Sequence, residues 1–170
     1  MNSILVLMMA ASIGLRSNDL SPQHLRSLYY QASKNSSDAD KFYDLVKDAG
    51  TQSPLLLGYK GMAEFMKCYH SYNPVSKLNY FYKGKQDLDH AITLTPNNVE
   101  LRYLRFTVQT NLPPFLNYRS EITSDKDFLI HHIGSTHTDT ELRSMICEYM
   151  IKCDFCSNEE KTFFQNIDYP

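Results

Sequence analysis

The sequence predicts an all-α protein of about eight helices packed as antiparallel hairpins, and three observations lead there. Apolar residues recur at three- and four-residue spacing through most of the chain, and no segment makes a convincing strand. The pairs Ser21-Pro22, Ser53-Pro54 and Asn73-Pro74 each set a polar side chain before a proline, the order that opens a helix. Between Ala91 and Leu101, the run Thr95-Pro96-Asn97-Asn98 ends one apolar stripe and starts the next, leaving room only for a tight reversal.

Taken in order, the first helix runs from Ser21 to Ser33 with Leu25, Leu28, Tyr29 and Ala32 on its apolar side. After Asn35-Ser36-Ser37 a second carries Ala39, Phe42, Leu45, Val46 and Ala49, and Gly50 offers a C-terminal stop. The third starts at Ser53-Pro54 and continues toward His70 through Leu55, Leu56, Tyr59, Met62, Ala63, Met66 and Tyr69. Gly58 and Gly61 weaken it by about 1 kcal/mol each relative to Ala; either a neighbouring helix approaches there or the weakness is simply tolerated.

The fourth helix opens at Asn73-Pro74 and places Leu78, Phe81, Leu88, Ala91 and Ile92 on one side, with Gly84 inside it. Leu101, Leu104 and Val108 define the fifth, after which Leu112-Pro113-Pro114-Phe115 predicts an extended connection. Three capping patterns follow: Ser124 with Asp127, Thr138 with Glu141, and Ser157 with Glu160. They introduce a sixth helix with Phe128, Leu129 and Ile133 stopped by Gly134, a seventh with Leu142, Met145, Ile146, Tyr149 and Met150, and an eighth with Phe163, Phe164 and Ile167.

The chain has 170 residues, enough for one domain that buries roughly two thirds of its unfolded surface. Its 17 basic and 19 acidic residues leave no basic footprint, which argues against nucleic acid and anionic membranes as partners. The apolar run Ile4 to Ala11, followed by Ser12 and Gly14, reads as a signal peptide over residues 1–14, although no Lys or Arg precedes it. The alternative is an apolar helix packed on the core. Residues 15–170 then form a single exported domain, periplasmic or secreted, with no integral membrane segment once the signal is removed; without a signal the protein is cytoplasmic.

Leu57-Gly58, Gly84, Leu88, Ala91 and Pro96 resemble a tetratricopeptide-type unit, in which small residues let paired helices touch and proline closes the repeat. The resemblance implies a right-handed stack of helix hairpins. It covers one degenerate repeat, because about fourteen extra residues, centred on His70 to Leu78, separate Gly58 from Gly84. Arg102 and Arg105 also stand where apolar residues belong. The Leu57-Gly58-Tyr59-Lys60-Gly61 segment, Asn73-Pro74 with Lys77-Leu78, the stretch from Thr95 to Arg102, and Asp125-Lys126-Asp127-Phe128 are similar to small, exported helical proteins of Bacteroidetes. That likeness implies fold and compartment but no chemistry.

Two groups could carry chemistry. Cys153 and Cys156 stand three apart, a spacing that permits a disulfide, redox exchange or shared metal. Cys156 precedes the Ser157 cap, where helix amides lower a thiol pKa, whereas Asp154, Glu159 and Glu160 oppose a thiolate. A structural zinc needs four ligands, and the remaining cysteines, Cys68 and Cys147, form no second pair. His131, His132 and His137, near Asp139 and Glu141, are the densest set of ligand types, yet adjacent helical residues point apart. Helix-end carbonyls are their ordinary partners. His90 with Asp87 and Asp89 reads as a solvated face.

The leading binding surface is one face of the fifth helix, where Arg102, Arg105 and Gln109 recur three and four apart. Tyr103 and Phe106 lie at its margins. Such a face can line a concave groove and grip a carboxylate or phosphate through bidentate guanidinium contacts; the alternative is a solvated surface, or pairing with Glu100, Glu121 or Asp125. Nucleophile elbow, phosphate loop and zinc-protease helix are all missing. The sequence therefore leads to a non-catalytic protein- or peptide-binding scaffold of the cell envelope, with no cofactor, metal or catalytic residue implied. A thiol redox or metal-binding protein built on Cys153 and Cys156 is the alternative.

Overall fold

Eight α-helices follow one another in the computed structural model, which describes residues 20–134 and 139–167. They are α1 (Pro22–Ala32), α2 (Ser36–Val46), α3 (Pro54–His70), α4 (Pro74–Leu94), α5 (Val99–Asn111), α6 (Ile122–His132), α7 (Thr140–Lys152) and α8 (Asn158–Gln165). The described residues contain no strand. Successive helices pair as antiparallel hairpins in a tetratricopeptide-like stack, as the amphipathic pattern requires. The expected signal peptide over residues 1–14, His137 and Thr138 lie outside the described residues.

Short polar side chains satisfy the free amides at most helix starts. Ser21 accepts from the His24 amide, Asn35 from Asp38, Asn98 from Leu101, and Asn73 from both Val75 and Ser76. At α8 the expected capping box is complete: Ser157 Oγ takes the Glu160 amide and Glu160 Oε2 takes the Ser157 amide. Two other expected boxes are corrected. Asp139, whose carboxylate takes the Leu142 amide, is the α7 cap beside Glu141, and Ser124 lies inside α6, which starts behind Glu121 without a side-chain cap. Similarly, α2 ends at Val46, short of Gly50. Pro114–Leu116 forms a 3-10 turn closed by Asn117 at φ 49°, where a wholly extended connection was expected.

The glycines of the third and fourth helices mark a close approach. A Cβ on Gly61 would stand 2.8 Å from the Gly84 carbonyl oxygen, and one on Gly84 would stand 2.8 Å from that of Gly61. Backbone meets backbone there, so neither position has room for a methyl group. Around this seam lies the first core, with Leu57, Met62, Phe65, Phe81, Leu88, Leu101 and Leu104. The second core joins Tyr103 and Phe106 to Leu129, Ile146, Met150 and Phe164. Helix α5 thus feeds opposite faces into two cores, which makes it the spine of the stack.

Side-chain contacts set the direction of the odd-numbered helices. Arg26, near the start of α1, reaches Glu100 at the start of α5 and Asp139 and Glu141 at the start of α7. Tyr59 in the second turn of α3 donates to the same Glu100 at 2.6 Å. At the other end, His70 at the close of α3 bonds the Ala32 carbonyl, while Tyr149 meets Thr110 and Asn111. The helices α1, α3, α5 and α7 therefore run parallel and enclose a common space. The extra residues of the α3–α4 hairpin project past this ring. Tyr69, Tyr72, Val75, Leu78 and Tyr82 on that projection are all solvent-exposed.

Candidate functional site

The arginine face of α5 turns inward. Arg105 gives Nε and NH2 to the two oxygens of Asp125 at 2.7 and 2.8 Å, and Arg102 adds NH1 to Asp125 Oδ1 at 2.7 Å. Asp125 is fully buried; two guanidinium groups compensate a charge that would otherwise be costly in the interior. Asp89, reached by Arg105 NH1 at 3.4 Å, also accepts the Tyr118 hydroxyl at 2.7 Å, so the network ties α4, α5, α6 and the connecting turn. Gln109 is fully buried, with neither amide atom paired. The groove wall expected from Arg102, Arg105 and Gln109 is thus an interior seam. Phe106 is buried in the second core.

Tyr103 is the one member of that set lining open space, which is the space inside the odd-helix ring. There a cleft of about 930 Å³ is bounded by Tyr29 of α1, Tyr59, Phe65 and Met66 of α3, Tyr103, Leu104 and Val108 of α5, and Leu142, Met145 and Tyr149 of α7. Each odd helix contributes a tyrosine. The rings pack edge to face, with centroids 6.5 Å apart for Tyr29 and Tyr59 and 5.9 Å for Tyr103 and Tyr149. Tyr69, Leu78 and Phe115 complete the lining at the outer rim, where they are exposed. A shallower recess of about 450 Å³ continues past Tyr149 toward Glu148, Lys152 and Phe155.

Charge is concentrated where α5 and α7 begin. Arg26 is buried and shares its five N–H donors among three carboxylates: Glu100 at 2.8 and 2.9 Å, Asp139 at 2.8 and 2.7 Å, and Glu141 at 2.9 Å. Burial alone would lower the Arg26 pKa, but the bonds it donates to Glu100 and Asp139 carry it above its ordinary value. The same contact with Arg26 holds the Asp139 carboxyl below the usual carboxylate range. Burial first, and then the Glu100 charge, raise the Tyr59 hydroxyl, so Tyr59 stays protonated and donates to Glu100. Glu100 is the carboxylate of this cluster that lines the cleft.

The thiol pair sits between α7 and α8. Cys153 and Cys156 are both buried free thiols, and burial together with the neighbouring Cys153 and Glu160 pushes the Cys156 pKa up to about 12. A nucleophilic or ligating thiol needs the opposite shift. Among the described residues no three His, Cys, Asp or Glu side chains converge as a metal site. His131 and His132 bond the carbonyls of Asp127 and Phe128 one turn back, and His132 stacks on Phe128. Asp87 pairs with Lys60 at 3.0 Å and Asp89 belongs to the Arg105 network, while His90 is exposed.

Comparison with protein-family models, curated proteins and solved structures gives no match. The functional reading therefore rests on the cleft itself. Of its tyrosines the sequence reading singled out Tyr103 alone, because Tyr29, Tyr59 and Tyr149 sit in apolar stripes indistinguishable from core. The signal present was the count of 12 Tyr without Trp, with Tyr29, Tyr59 and Tyr149 in the apolar stripes of the first, third and seventh helices and Tyr103 at the margin of the arginine face.

Proposed function

We propose that this chain is a non-catalytic binding protein of the cell envelope that holds a segment of another protein in the cleft between α1, α3, α5 and α7. The observation that carries this reading is the continuity of apolar surface from the buried walls to a solvent-exposed rim of Tyr69, Leu78 and Phe115. Exposed aromatic surface of that kind is retained for contact. The volume falls within the range of ligand pockets, which are mostly apolar with a few placed polar groups. Those groups are already engaged: Glu100 by Arg26 and Tyr59, the Tyr103 hydroxyl by the Met145 carbonyl, and Tyr149 by Thr110 and Asn111. The cleft thus offers shape and surface in preference to a reactive centre.

Placement in the envelope rests on the apolar run Ile4 to Ala11 and the small residues after it. Among the described residues no helix is long and apolar enough to cross a membrane. Selection of a displayed nonapeptide library on the purified protein tests the binding role. Thr107, half-buried on the cleft wall, provides the control, since Thr107→Arg fills the space. Peptides enriched by the wild type and lost by Thr107→Arg are expected; equal enrichment by both would remove the cleft as the site. Intact mass of protein recovered from native cells reports cleavage near Ser12 or Gly14.

A further inference from the structure

We propose that the projecting end of the α3–α4 hairpin docks on the surface of an anionic lipid bilayer, a contact separate from the cleft. The whole-chain balance of 17 basic and 19 acidic residues conceals a local imbalance. From residue 65 to residue 86 the chain holds Lys67, Lys77, Lys83 and Lys85 and neither Asp nor Glu. Asp40 of α2 pairs with Lys67, and Lys85 lies 5.0 Å from the centre of the Tyr118 ring. Lys77 and Lys83 are exposed and form no ion pair among the described residues. The end of α3 and the start of α4 meet here with dipoles of opposite sign, which cancel and leave the lysine charges standing.

Apolar surface leads on this projection and charge follows. Tyr72, in the turn between the helices, is 99% exposed, and Val75, in the first turn of α4, is 77% exposed. Val75, Leu78 and Tyr82 share one face of α4 by their three- and four-residue spacing, while Gly84 and Leu88 are turned to Gly61 of α3. With a rise of about 1.5 Å per residue, Lys77 stands about 4 Å and Lys83 about 13 Å behind Pro74. Their flexible stems reach from there to headgroup phosphates once Tyr72 and Val75 have entered the interface. Tyrosine suits that boundary because its ring is apolar and its hydroxyl stays wet. A protein partner fits less well, since protein interfaces are depleted in lysine, whereas segments that lie on membranes carry it beside aromatic residues. Among the described residues no helix is long and apolar enough to cross a bilayer, so this contact is peripheral.

Co-sedimentation of the full chain with lipid vesicles tests the contact. The chain should pellet with vesicles of equal parts phosphatidylethanolamine and phosphatidylglycerol, stay in solution with phosphatidylcholine vesicles, and bind less as salt rises from about 0.1 M to about 1 M. Tyr72→Ser combined with Val75→Ser should weaken binding at least about tenfold, and Lys77→Ala about fivefold, with an unchanged urea midpoint checking the fold of each variant. Thr107→Arg, which fills the cleft, should bind vesicles as the wild type does, so failure of the peptide selection leaves this result untouched. All variants carry the apolar run Ile4 to Ala11, and its contribution is therefore common to them. Undiminished vesicle binding by the double variant, or equal binding to phosphatidylcholine, overturns the proposal. So does a wild-type dimer that the double variant converts to monomer in the absence of any vesicle binding, because the face then belongs to a second copy of the chain.

Discussion

Replacing Glu64 by glutamine should change how stability depends on pH, and the size of the change follows from where this carboxyl lies. Glu64 is 2% exposed and its Oε2 lacks a hydrogen-bond partner. Burial, and then the charge of Asp87 across the α3–α4 seam, raise its pKa from 4.5 to about 7, while Lys60 and Lys83 pull the other way. The folded chain thus holds this proton more tightly than the unfolded chain. Its contribution to stability is complete below pH 4.5 and is lost as pH rises through about 7. At about 1.4 kcal/mol per pKa unit, the loss approaches about 3 kcal/mol near pH 8. Glu64→Gln removes the titration while keeping size and polarity. Urea unfolding of both proteins from pH 4.5 to 8 supplies the test, because other titrating groups cancel in the difference. The wild type should fall behind the variant by about 3 kcal/mol across that range. A difference that stays flat would show that the Glu64 carboxylate is solvated in the folded chain and refute the reasoning.

Gly61→Ala should destabilise by about 1–3 kcal/mol despite its better helix propensity, since the new methyl group would stand 2.8 Å from the Gly84 carbonyl; a lowered melting temperature checks this. Asp125→Asn removes the charge that Arg102 and Arg105 share, leaving Arg105 with Asp89 at 3.4 Å and Glu121 at 3.8 Å, and should cost about 2–3 kcal/mol, read by denaturant titration. With its pKa near 12, the Cys156 thiol should react with iodoacetamide slowly in native protein at neutral pH and rapidly once denatured. Mass spectrometry of the modified peptide distinguishes the two states.

The helices were legible because their signals are local. Ser21-Pro22 and Asn73-Pro74 announced starts, the Ser157–Glu160 box formed as written, and Thr95-Pro96-Asn97-Asn98 made the expected reversal. Gly58, Gly61 and Gly84 also hinted at a neighbour, although helical weakness alone could not say whether one was present. The arginine face of α5 stayed open between a groove wall and internal pairing for a physical reason. Spacing shows that Arg102, Arg105 and Gln109 share a side of α5 but not what that side meets, and here it meets Asp125, a residue 20 positions beyond Arg105. The Arg26 cluster joins residues separated by 74, 113 and 115 positions, a distance that no periodicity encodes. The cleft inherits the same difficulty, since its wall residues look like core until the four helices are arranged around a gap.

The salt link from Arg26 to Asp139 and Glu141 also bears on how the chain comes apart. Repeat stacks ordinarily fray from their ends, each unit depending only on the next. Here α1 is clasped to α7, so neither of these two helices can peel away without exposing a stripped guanidinium or an excess of carboxylates. Helices α1 to α7 should therefore unfold in a single concerted event. Such long-range closure slows folding, and Arg26→Met should let the last two helices melt at a lower temperature than the rest.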